Sequence, residues 1–264
     1  MGVVMRHLLT LDVAGSRLGA TLDGADGTVG LLMVTGGTQT RIGAHRIYER
    51  LAAALAEAGH PCLRFDRRGV GDSEGDDPGF RGSGSDLAAA ALAFRTAVPG
   101  LDRMLGFGLC DGASAAMLFG GDAGLDGLIL ANPWLVEAQA GAPPPAAIRR
   151  RYREQLASRE GWKRLVSGQV SLHKLARGLR RAALPERSTL GQEALCALAA
   201  SRLPARLILS RGDATAIAAQ AVWQSGGGRA PSYIETDSHT FARAGDMDAL
   251  RSAVLAAIAD LSGE

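Results

Sequence analysis

The chain of 264 residues is 47% apolar and 21% charged, with a formal net charge of +2. That length suits one α/β domain carrying an insertion, and the near-neutral charge argues against a dedicated nucleic-acid binder. Three cysteines, Cys62, Cys110 and Cys196, are too few and too scattered for a disulfide framework or a paired-cysteine zinc site, so the expected setting is reducing and cytoplasmic, with neither metal nor cofactor. Met1 to His7 lacks the apolar core of a signal peptide, Arg6 stands where N-myristoylation needs Ser or Thr, and no integral membrane segment is expected.

Two short alternating runs, His7 to Val13 and Arg17 to Leu22, flank Ala14-Gly15-Ser16 and predict an antiparallel hairpin. Val29 to Thr35 is a continuous apolar run, as in a strand buried on both faces, and it ends in Gly36-Gly37-Thr38. A glycine pair there either turns backbone N–H groups toward a cavity, as an oxyanion hole requires, or makes a tight turn only. His45 to Ala58 has helical spacing, with Gly59 as its stop, and Pro61 to Phe65 predicts the next buried strand. The charged loop Asp66 to Gly75 follows. Its glycines Gly69, Gly71 and Gly75 do not open a helix, so they are not a dinucleotide fingerprint.

Leu87 to Ala97 predicts an Ala-rich helix, Met104 to Gly108 a strand, and the sequence from Gly112 to about Gly120 another helix. Gly127 to Ala131 is a further buried strand. Strands and helices alternate with short connections, the pattern of a mostly parallel, doubly wound sheet. That order breaks over 133–190, where a Pro-rich stretch, Pro143-Pro144-Pro145, leads into helical sequence with twelve Lys or Arg against four Glu. Such an insert would form a small basic helical cap over the sheet, with the core made of 1–132 and 191–264. Its charge is either a solvated helical face or an attraction for an anionic substrate, a carrier or an acidic lipid surface. Alternation resumes with a helix at Gly191 to Ser201, strands at Arg206 to Ser210 and Ser232 to Glu235, a helix at Ala216 to Ser225, and a last helix from Met247 to Leu261.

The chemistry concentrates at Gly108-Leu109-Cys110-Asp111-Gly112. A strand passes there directly into a helix, with glycine two residues before and two after Cys110, as a nucleophile elbow demands. A thiol at a helix N-terminus is also where the macrodipole favours thiolate. The same turn would equally suit a buried structural cysteine. In an open α/β sheet, reactive groups collect beyond the carboxyl ends of the strands, and Asp213 and His239 follow the last two strands. Nucleophile, acid and histidine then occur in the chain order of α/β-hydrolases, Cys110, Asp213, His239. His7, His45, His60 and His173 lack that placement, and Asp237 stands too near His239 to replace Asp213 easily.

The whole chain resembles the α/β-hydrolase superfamily, and more closely the first of the two hydrolase families associated with exosortase A systems. The resemblance rests on 36–46 (Gly-Gly-Thr-Gln-Thr-Arg-Ile-Gly-Ala-His-Arg), 63–75, 108–116, Asn132-Pro133-Trp134 and His239-Thr240-Phe241. It implies a bacterial accessory hydrolase linked to exopolysaccharide and protein-sorting systems. The cysteine elbow is also similar to those of dienelactone hydrolases and polyhydroxyalkanoate synthases. The expected reaction is hydrolysis of an ester or thioester through a Cys110 acyl-enzyme, with the oxyanion held by the Asp111 N–H and one from Gly37 or Thr38. Transfer of the acyl group to a sugar or lipid hydroxyl, or a non-catalytic binding module, are the alternatives. The expected partner is a small or carrier-bound acyl substrate, with peripheral membrane contact through the basic insert a further option.

Overall fold

The computed structural model describes residues 5–24, 26–137 and 189–263. Eight strands form one sheet: β1 (Arg6–Val13), β2 (Ser16–Asp23), β3 (Val29–Val34), β4 (Cys62–Phe65), β5 (Arg103–Leu109), β6 (Gly127–Ala131), β7 (Ala205–Ser210) and β8 (Ser232–Ile234). Their spatial order is β1-β2-β4-β3-β5-β6-β7-β8. Strand β2 pairs antiparallel with both β1 and β4, and every other neighbouring pair is parallel. The expected hairpin and parallel sheet are therefore both present.

Six α-helices accompany the strands among the described residues: α1 (Ile47–Glu57), α2 (Gly84–Ala97), α3 (Asp111–Phe119), α4 (Thr189–Ser201), α5 (Ala214–Ser225) and α6 (Asp246–Ser262). Period-two alternation sends neighbouring strand residues to opposite faces. Leu31 and Met33 pack with Ile47, Leu51, Val254 and Ile258 under α1 and α6, whereas Leu32 and Val34 pack with Phe94, Ala116 and Trp223 under the other helices. The central strands are thus covered on both sides, which is why they read as unbroken apolar runs.

The helix predicted from His45 begins later. Ala44–Arg46 form a single 3-10 turn, because His45 and Arg46 have φ of 52° and 61°, outside the right-handed helical region. Asp213 caps α5 by accepting from the Ala216 N–H at 2.8 Å, and so starts that helix two residues before its predicted position. Thr189 and Leu190, assigned from sequence to the insertion, form the first residues of α4. Most of the basic helical cap expected over 133–190, its residues 138–188, lies outside the described residues. No helix among those described is long and apolar enough to cross a membrane.

Candidate active site

Strand β5 stops at Leu109, α3 starts at Asp111, and Cys110 joins them with φ 60° and ψ −128°. A non-glycine residue at positive φ costs about 1–3 kcal/mol and persists only where its surroundings hold it. Here the Cys110 N–H donates to Ala131 O at 3.1 Å, and its carbonyl accepts from the N–H groups of Trp134 at 3.0 Å and Ala113 at 3.1 Å. Space sets the flanking residues. A Cβ on Gly108 would lie 2.6 Å from the Ala113 backbone, and one on Gly112 would lie 2.4 Å from Val34 O. The two glycines are what let strand, helix and the end of β3 meet.

His239 stands in the loop between β8 and α6. Its Nδ1 lies 3.0 Å from Asp213 Oδ2. Asp213 and the Cys110 side chain together raise the imidazole pKa to about 10, Asp213 most and Cys110 next, against an opposing effect of burial. Asp213 Oδ2 thus serves two donors, the helix N–H of Ala216 and the histidine ring. Asp237 is committed elsewhere, as an exposed pair with Arg243 at 2.5 Å that closes the His239 loop.

Two further residues hold the loop in register. Asn132, at the end of β6, donates from Nδ2 to His239 O and Ser210 Oγ, both at 2.9 Å, and accepts the Ser210 N–H at 2.8 Å. Ser210 Oγ in turn donates to Ser238 O at 3.0 Å. From sequence Asn132 is one more residue at a strand end; its hydrogen bonds across β6, β7 and the His239 loop depend on strand order, which its neighbours in sequence do not encode. Tyr48 is the second unanticipated residue. It is fully buried on α1, donates to Val34 O at 3.2 Å and sits edge-on to Phe107 at 6.1 Å. Burial and the nearby Asp111 and Cys110 push its hydroxyl pKa upward.

The three residues expected at an oxyanion hole lie in different hydrogen-bonding situations. Asp111 opens α3, and the Gly36–Gly37–Thr38–Gln39 turn closes with Gln39 N donating to Gly36 O at 3.2 Å. The Gly37 N–H is taken by the Asp111 carboxylate at 2.5 Å, and the Gly37 carbonyl by Arg67. Among the described residues, the Thr38 N–H has no partner. The charged loop after β4 is a frame for this turn: Asp66 is wholly buried and binds Arg41, and Arg68 pairs with Asp86 at 2.6 Å. No group of three or more metal-ligating side chains stands together among the described residues.

A mostly parallel sheet with an antiparallel pair at one edge, a strand-to-helix turn after central β5 and helices on both faces make up the α/β-hydrolase fold, and solved structures agree. The chain is similar to an esterase of Pyrococcus furiosus over 97% of this chain and 91% of that one, at 15% identity and a TM-score of 0.66. An alpha/beta hydrolase of a Penicillium species is similar over 99% and 100% of the two chains, at 18% identity and a TM-score of 0.66. A dienelactone hydrolase of Anabaena variabilis covers 94% of each, at 15% identity and a TM-score of 0.60. No family model and no curated protein matches the chain.

Proposed function

We propose that this protein is a cysteine-dependent esterase or thioesterase in which Cys110, His239 and Asp213 act as nucleophile, base and orienting acid. The observation that carries this reading is His239, hydrogen-bonded through Nδ1 to Asp213 and with its proton affinity raised by both Asp213 and the Cys110 side chain. In the reaction, the proton of the Cys110–His239 pair rests on the ring, the sulfur attacks the acyl carbonyl, and the alcohol or thiol leaves with a proton returned by the imidazolium. Water then gives a proton to the neutral ring and attacks the thioester, releasing the acid and restoring the pair. The solved esterase and dienelactone hydrolase support the same class of chemistry.

On the resemblance to the exosortase-associated hydrolases, the enzyme serves an exopolysaccharide or protein-sorting system, and the basic stretch of 133–190 favours an anionic or carrier-borne acyl group. Intact mass after exposure to a panel of p-nitrophenyl esters and acyl thioesters tests the chemistry. An adduct of acyl mass on the wild type, absent from Cys110→Ala, is the expected result. No adduct and no turnover at any chain length would sink the enzyme reading.

A further inference from the structure

Arg67 occupies an unusual place for a guanidinium. It follows β4 beside Arg68, which reaches Asp86 at 2.6 Å, and near Arg41 of the β3–α1 connection, which reaches Asp72 at 2.8 Å. Its own side chain is 2% exposed, its nearest carboxylate, Asp77, is 3.6 Å away, and Nε and Nη1 have no hydrogen-bond partner. Desolvating a cation in this way costs several kcal/mol unless a partner offsets it. Nη2, the nitrogen facing Asp77, makes the side chain's one hydrogen bond, to the carbonyl of Gly37.

That carbonyl belongs to the same peptide unit as the Thr38 N–H. The bond is trans, so the C=O and N–H point in opposite directions. Holding the oxygen toward the buried guanidinium therefore turns the Thr38 N–H toward the exposed side of the turn, where Gly37 and Thr38 lie. The preceding N–H, of Gly37, is bound by the Asp111 carboxylate from the first turn of α3. Contacts between Gly36 and the elbow fix the distance, since a Cβ on Gly36 would fall 2.6 Å from Leu109 O and 3.2 Å from Gly112 N.

We propose that Arg67 is the positioning residue of the oxyanion hole: by holding the Gly37 carbonyl, it aims the Thr38 N–H, rather than that of Gly37, at the acyl oxygen over Cys110. The inference rests on the acyl-transfer reading above and selects between the two donors that sequence left open. A cation on the carbonyl also polarises the peptide and strengthens its N–H as a donor.

Two reactions of Cys110 separate this role from a structural one. Alkylation by iodoacetamide needs the thiol and His239 but forms no oxyanion; acylation by p-nitrophenyl acetate, read as the burst of p-nitrophenolate, needs both. Arg67→Met should be alkylated within about twofold of wild type and acylated about 10- to 100-fold more slowly, part of the factor of about 10²–10³ that a whole oxyanion donor supplies. Arg67→Lys should fall between the two and keeps a buried cation if the Met variant does not fold. Asp111→Ala should also acylate more slowly, because it loosens the turn. Equal acylation-to-alkylation ratios in wild type, Arg67→Met and Arg67→Lys would overturn the assignment, as would faster acylation in Asp111→Ala, which would make the Gly37 N–H the donor. Alkylation without acylation in the wild type would instead remove the esterase reading, and this inference with it.

Discussion

At the scale of single residues, the site depends on where one proton sits. With its pKa raised to about 10, His239 keeps its proton through neutral pH and loses it as pH rises through that value. In an NMR titration the His239 ring resonance should stay flat near pH 6.5 and shift near 10, and Asp213→Asn should bring the midpoint down, since the Asp213 bond is the larger cause. Stability follows the same sign. In Cys110→Ala, where no thiol titrates alongside, the raised pKa stabilises the fold fully below the unfolded value of about 6.5 and the contribution is lost as pH climbs toward the folded value. The Tm of that variant should therefore decline over this window, and more steeply than the Tm of Cys110→Ala with Asp213→Asn. On the proposed mechanism acylation changes the balance: a thioester sulfur carries no proton and no charge, so the Cys110 influence on the ring would be removed and His239 would become a better base for the water step. Activation of the second half-reaction would then be a consequence of completing the first.

At the scale of elements, the junctions are more demanding than the elements they join. Gly112→Ala would drive a methyl to within 2.4 Å of Val34 O, and neither strand nor helix can retreat without breaking the elbow. A loss of about 1–3 kcal/mol is expected, measured by urea unfolding, together with slower alkylation of Cys110. Asp213 links helix stability to chemistry in another way. Asp213→Ala should cost about 0.5–2 kcal/mol through the lost cap, whereas Asp213→Asn, a good cap, should retain the Tm of neutral solution more closely while losing turnover.

The same contrast explains what was legible beforehand. Strands β3, β5 and β6 were readable because burial on both faces leaves uninterrupted apolar runs, and the elbow because glycine spacing is a local steric demand. The left-handed His45 and Arg46 are not, since their side chains have ordinary helical spacing and only the structure shows Arg46 turned onto Glu49 at 2.6 Å. In sequence Arg67 is one more charge in the charged loop after β4. Its burial arises from the turn after β3 folding over it, a meeting of segments some thirty residues apart.

At the scale of the whole molecule, two apolar layers of unequal helix number sandwich the sheet, and the candidate residues line its carboxyl edge. Asn132 spans that edge, joining β6 to β7 and to the His239 loop. Asn132→Ala would leave the Ser210 N–H, the Ser210 hydroxyl and the His239 carbonyl short of a partner, at about 1–3 kcal/mol for each group left buried and unpaired. A lower Tm and a slower iodoacetamide reaction are expected together; a lower Tm with unchanged alkylation would show that the loop is positioned by other contacts.

The bond from Asn132 to His239 crosses 107 positions of sequence. On the proposed function, Cys110 leaves a ribosome well before His239 does, and the two can meet only once β7 and β8 have joined the sheet. The order of synthesis then keeps nucleophile and base apart until the sheet is complete.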